Sequence, residues 1–297
     1  MFDVSSNKTS IEFAFQRSTS QNAIKDGLGH EANEEEIEAA KQNAFSVDYV
    51  FCSNCEDRFG EIERDFIEQI LPRFRGNDMT GISELDFENN VMIRKFFLLQ
   101  ILRTSVADEK YKISHELKNR LRLIILDERV EESEIVSVPL NISYLNTIGG
   151  DFEYTKNNVG IAYLGNKQII MFNDFIIQVF DKISDVAFID FFGVNEKATI
   201  DYFTNFKEEV FRFKVFDPIK RKEILANYTR FKTRQMLEFY VNDFQKEFQA
   251  KRGFLPTRHE LSIFIQEIIY GNRYNDFQRY SSERYKRLKY IYIGNQR

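Results

Sequence analysis

Tryptophan is missing altogether, and cysteine occurs only twice and proline only four times in 297 residues. Two cysteines exclude a disulfide-stapled scaffold and point to a reducing, cytoplasmic setting. The longest apolar runs, such as Ile169-Ile-Met-Phe172, fall far short of the roughly 20 residues that span a bilayer, so no membrane partner is expected. The start, Met1-Phe-Asp-Val-Ser-Ser-Asn-Lys8, has neither a basic n-region nor an apolar h-region, and no secretory signal is expected. A phosphate-cradling Gly-rich loop and a Gly-x-Ser-x-Gly elbow are also absent, which removes two common catalytic frameworks.

What the chain has in excess is phenylalanine. Thirty Phe and fourteen Tyr imply a core built on aromatic packing. With 43% hydrophobic and 29% charged residues the composition is that of a folded protein, and the length suits one large domain or two to three small ones. The net charge of −5 hides a split: residues 218–297 carry 17 Lys/Arg against 8 Asp/Glu, whereas residues 1–217 carry 24 against 38. Such a reversal marks either a polyanion-binding C-terminal part or two halves that attract each other.

The pattern along the chain predicts an α+β fold in four regions. Residues 1–50 read as a poorly ordered or remnant segment, with one short acidic helix at Glu34-Glu-Glu-Ile-Glu-Ala-Ala-Lys41. Residues 51–130 hold three helices. The first is marked by Phe59, Ile62, Phe66 and Ile70 and closed by Pro72; the second, over about Ser83 to Val106, is apolar nearly all round; Ser114 caps the third. Over residues 131–216 the period changes to two, predicting a small antiparallel meander. Its strands are Ile135 to Tyr144, with Pro139 restricting it to an edge or bulge, then Gly160–Leu164, Gln168–Phe172, Phe175–Phe180 and Val186–Phe192. Gly165-Asn166-Lys167 marks a hairpin turn. From residue 217 the chain is helical and basic. A long stripe from Ile224 to Phe248 ends at Arg252-Gly253, and Thr257-Arg-His-Glu260 forms a capping box.

The two cysteines form one motif, Cys52-Ser-Asn-Cys55, between an apolar run and a helical stretch. Two thiols on one tight turn are half of a tetrahedral zinc site, so zinc is the expected cofactor and Cys52 and Cys55 its incomplete ligand set. His30 is the one histidine upstream, and His115 and His259 fall inside helix patterns. The segment Phe51-Cys-Ser-Asn-Cys-Glu-Asp-Arg-Phe-Gly-Glu-Ile-Glu63 resembles the second knuckle of a group of uncharacterised bacterial proteins with an HNH-like, treble-clef N-terminus. Cys52, Cys55, Glu56, Phe59 and Glu63 match that group's run. Its upstream Cys-x-x-Cys and His-bearing segment are absent here, so the resemblance implies an N-terminally shortened form lacking the nuclease-like centre. The same turn, leading into a helix, also has the layout of a thiol–disulfide oxidoreductase, with Pro139 in the place of its cis-proline. Glu56 and Asp57 are expected to raise rather than lower a thiol pKa there.

In the basic region, Gly253-Phe-Leu-Pro-Thr-Arg-His-Glu-Leu261 is similar to the start of the helix-turn-helix in SOS-type repressors. A second helix over about Tyr274 to Tyr292 then presents basic residues interleaved with tyrosines, a pattern that suits stacking on unpaired bases. The candidate nucleic-acid contacts are Arg258, Arg273, Arg279, Arg284, Lys286, Arg287 and Lys289. The bland alternative is a capped helical hairpin whose tyrosines pack inward. No catalytic residue is assigned. The expectation is a bacterial HNH-like-group protein that meets DNA or RNA without a nuclease centre of its own. The alternatives are a structural or protein-interaction module, a DNA-binding regulator and a thiol–disulfide oxidoreductase.

Overall fold

The computed structural model describes residues 51–75, 79–108, 111–146, 159–164, 167–270 and 282–294. The segment 1–50 with His30, the turn residues Gly165 and Asn166, and Arg273 and Arg279 lie outside these. The fold is α+β. In chain order the elements are α1 (Ser53–Gln69), β1 (Glu84–Phe87), α2 (Asn90–Ala107), α3 (His115–Leu126), α4 (Glu132–Val136), β2 (Leu140–Leu145), β3 (Val159–Leu164), β4 (Lys167–Phe172), β5 (Phe175–Val179), α5 (Ile200–Phe203), β6 (Thr204–Asn205), β7 (Phe211–Phe216), α6 (Pro218–Arg252), α7 (Arg258–Tyr270) and α8 (Ser282–Gly294). The chain divides into two compact units; residues 47–155 and 159–226 form the larger, and the helical C-terminal part from Asn227 belongs to the other.

The larger unit is a seven-stranded sheet in the order β1-β7-β2-β5-β4-β3, with β6 also pairing β2. Helices α1, α2 and α3 share one core with a single face of that sheet. The alternation of β2 explains the division of faces: Leu140, Ile142 and Tyr144 enter the core with the helices, so Asn141 and Ser143 take the opposite side. Aromatic rings fill the layer between helices and strands. Phe74 meets Phe87, Tyr144, Phe175 and Phe213 at centroid distances of 4.7–5.5 Å, and the Tyr144 hydroxyl donates to the Phe74 carbonyl over 3.0 Å. The near-continuous apolarity of α2 is accounted for by the burial of Ile93, Phe96, Phe97, Leu98, Leu99, Ile101 and Leu102.

Four sequence expectations need correction. Glu84–Phe87 is a strand, not the start of a helix: Leu85 and Phe87 alternate toward the core, and α2 begins only at Asn90. Ile135 closes the short helix α4, and the strand that follows is central rather than at an edge, because Pro139 stands just before it. There Pro139 needs no donor and serves as an acceptor, taking the Phe180 N–H over 3.1 Å. Residues 186–192 form no strand: Asp190 Oδ1 accepts the Gly193 N–H over 2.5 Å, and Phe192 and Gly193 take left-handed backbone (φ 61° and 87°). The sheet is also mixed rather than a simple meander, since β7 runs parallel to β2 with Ser143 beside Lys214.

The C-terminal unit packs α7 and α8 on α6 through Met236, Tyr240, Phe244, Phe248, Phe264, Ile268, Tyr285 and Ile293. Phe244 stacks on Phe264 at 3.9 Å and Tyr240 on Tyr285 at 4.1 Å. Gly253 ends α6 at φ 78°, a conformation that a side chain would strain, and its N–H bonds the Gln249 carbonyl. The capping box opens α7 as expected: the Thr257 N–H donates to Glu260 Oε2 (2.8 Å), and the Glu260 N–H donates to Thr257 Oγ (3.2 Å).

Candidate functional site

Cys52 is the N-cap of α1, with extended backbone, and the ring of Phe51 before it packs edge-on against Phe59 at 5.0 Å. The chain thus enters the helix from an anchored residue, and the turn brings Cys52 Sγ to 3.2 Å from Cys55 Sγ. Cys52 is exposed and Cys55 borders the core. The two thiols differ in acidity. The hydrogen bond from the Cys55 side chain, joined by backbone N–H groups of Cys55 and Asn54, holds Cys52 below its ordinary value. That same bond, then burial and the negative charges of Cys52 and Glu56, push Cys55 up. For Cys52 the direction is therefore opposite to the rise expected from Glu56 and Asp57, and the hydrogen bond with the Cys55 thiol is its largest cause.

The rest of the motif serves structure. Glu56, Phe59 and Glu63 project from one side of α1 and together hold Arg103 of α2. The guanidinium bonds Glu56 at 3.1 Å, contacts Glu63, and lies 4.8 Å over the Phe59 ring, while Gln100 Nε2 also donates to Glu63 at 3.1 Å. The Glu-x-x-Phe-x-x-x-Glu spacing is thus a clamp for a partner helix, one that no local pattern could show because Arg103 is 40 residues from Glu63. Among the described residues no group of three or more His, Cys, Asp or Glu that could hold a metal ion gathers, at Cys52 and Cys55 or elsewhere. Pro139, set against the cis-proline of an oxidoreductase, forms no cis bond, and the three helices α1 to α3 separate it from the thiols in sequence.

The described candidate contacts of the C-terminal unit fall into two groups. Arg284 is buried and donates to the carbonyls of Ile268 (3.1 Å) and Glu267, satisfying the end of α7. Lys289 is held between Asp243 (3.0 Å) and Glu247 (2.5 Å). These two cations support the fold. Arg258, Lys286 and Arg287 are exposed. One turn beyond Lys286 on α8, Tyr290 is 69% exposed, and its ring lies along the helix so closely that a Cβ at Gly294 would meet it at 3.3 Å. The helix expected from Tyr274 is described from Ser282, and Tyr285, the third residue after that start, packs inward on Tyr240.

A third polar cluster lies on the sheet face opposite the helices. Lys214 is buried, with its Nζ donating to the Val194 carbonyl (3.2 Å) and Glu196 (3.1 Å), and Gln178 and Asn195 exchange amide bonds at 2.9–3.0 Å. The alternation of Asn141 and Ser143 along β2 is the sequence signal that marks this face. No protein-family model, curated protein or solved structure matches the chain.

Proposed function

We propose that the protein is a nucleic-acid-associated member of the HNH-like group that meets single-stranded DNA or RNA through the outer face of α8 and carries no nuclease centre of its own. The observation that supports this reading is the placing of exposed Lys286 and Arg287 one turn from the exposed Tyr290 on the same helix. Cations that track phosphates beside an aromatic face that stacks a base are the two components of sequence-tolerant single-strand binding. Arg258 extends the set of exposed cations. A duplex offers no unstacked base to Tyr290, so single strands bind more tightly.

The test is fluorescence anisotropy with labelled single- and double-stranded oligonucleotides at two salt concentrations. Affinity for single strands falls with salt, and Lys286→Ala with Arg287→Ala lowers the log–log salt slope by about 1.4, since each neutralised phosphate accounts for about 0.7. Tyr290→Ala weakens single-strand binding about tenfold. Absence of binding at low salt, or a salt slope unchanged by both lysine and arginine replacements, rules the reading out in favour of a protein-interaction module.

A further inference from the structure

We infer that Cys52 is a site of reversible covalent modification, at which a small-molecule disulfide exchanges onto its sulfur and Cys55 resolves the adduct into an internal Cys52–Cys55 disulfide. The inference concerns the first turn of α1 and stands whether or not α8 binds nucleic acid. Because α1 begins at Ser53, Cys52 and Cys55 hold its N-cap and N3 places. The Cys52 backbone is extended (φ −75°, ψ 161°), the conformation that swings an N-cap side chain back toward N3. Thr257 and Glu260 use the same two places in α7 for a capping box. At α1 the partners are instead two reduced sulfurs, 3.2 Å apart. A disulfide needs about 2.05 Å between them, so side-chain rotation within the turn closes the bond.

Exposure sets the order of events. Cys52 is open to a reagent, whereas Cys55 packs against the core. Exposed thiols at helix starts are the ones that react as thiolates. The Cys52 thiolate attacks one sulfur of a disulfide R–S–S–R, forms the mixed disulfide and expels RS⁻. Cys55 then attacks the Cys52 sulfur and expels the second RS⁻, which leaves as R–SH with the Cys55 proton. Two protein thiols are oxidised, and one small-molecule disulfide is reduced to two thiols. The first step prepares the second. The hydrogen bond with Cys52 and the Cys52 negative charge both hold the Cys55 thiol up, and both end once the Cys52 sulfur is capped.

The experiment adds bis(hydroxyethyl) disulfide to the reduced full chain and follows intact mass and peptide maps over time. Every adduct is assignable, since the chain has two cysteines. The expected course is a first adduct on Cys52, then a monomer that has lost two hydrogens and has no free thiol, reversed by dithiothreitol. Cys55→Ser stops at the adduct on Cys52, and Cys52→Ser reacts at least about tenfold more slowly than the wild-type chain. Far-UV circular dichroism checks that both variants are folded, and the wild-type time course tests the order of events without them. A first adduct on Cys55, a wild-type chain that retains an adduct on each cysteine, a disulfide between two chains, or no reaction would each overturn the inference. None of these outcomes bears on oligonucleotide binding.

Discussion

Each of the two compact units buries an arginine, and the two are held by different means. Arg94, on α2 beneath the sheet, has side-chain partners around it. Its Nε donates to Asn90 Oδ1 (2.7 Å), one terminal nitrogen donates to the Val138 carbonyl (2.7 Å), the Phe211 ring lies 5.5 Å away, and Glu208 approaches to 4.0 Å. Arg284, on α8, instead answers the carbonyls at the end of α7. In the sheet unit a cation is enclosed by the core. In the helical unit it completes a helix terminus, where the partial negative charge of the peptide dipoles favours it. The difference shows why counting basic residues overstates an interface: a helix end can draw a cation inward one turn from others that face water.

Arg94→Ala tests the enclosed case and carries the largest expected effect. Burial lowers the guanidinium pKa to about 10, with Glu208 acting in the opposite sense, so the side chain remains charged at neutral pH. Its loss leaves a cavity and orphans Asn90 and Val138, costing about 3–5 kcal/mol. Arg94→Met keeps the aliphatic volume and recovers part of that loss. Urea midpoints by circular dichroism give both values. Arg284→Ala is the matched change in the helical unit. It removes charge-assisted bonds worth about 1.5–3 kcal/mol, and a larger cost than that of Arg94→Ala would reverse the comparison.

Asp243 gives a pH-dependent, smaller effect. Desolvation would raise its carboxyl, but the hydrogen bond from Tyr285 and the ion pair with Lys289 outweigh it and hold the folded pKa below the ordinary 3.8. A lowered folded pKa means that this contribution is present in full above the ordinary value and is lost as pH falls through the lowered one. The wild-type chain therefore loses stability in that acid range by a component that Asp243→Asn lacks. Acid titrations of both proteins, followed by circular dichroism, should diverge below about pH 4 and run parallel above it.

The parts of this fold that were legible in sequence are those fixed by neighbours a turn apart. Ser114 caps α3 by accepting the Leu117 N–H, the Thr257–Glu260 box opens α7, and the aromatic stripe of α6 ends at Gly253. What stayed hidden depends on distant partners. Strand β1 is defined by its pairing with β7, from Glu84 opposite Lys214 to Phe87 opposite Phe211, which lies far along the chain. Residues 186–192 carry strand-like apolar spacing, but the side chain of Asp190 bonds locally and turns the backbone there. At the thiol turn the cysteine pair was readable from spacing alone. The opposite displacements of its two acidities were not, because they follow from the hydrogen bond between the two thiols and from the burial of Cys55.

The smallest expected change in stability sharpens the comparison most. Arg287 is three residues from Arg284 on the same helix, yet it is exposed where Arg284 is buried. Arg287→Ala leaves the core intact and should keep the urea midpoint within about 0.5 kcal/mol of wild type. On the proposed binding of single strands by α8 the order inverts. There Arg287→Ala should leave one phosphate without its cation and shift the salt slope by about 0.7. A conservative Arg287→Lys keeps the charge, and with it the slope. Arg284→Lys, in contrast, cannot reproduce two directed bonds to the carbonyls at the end of α7 and loses stability. If Arg287→Ala instead destabilised the fold as much as Arg284→Ala, α8 would have no free basic face, and the difference between the two arginines would be one of degree only.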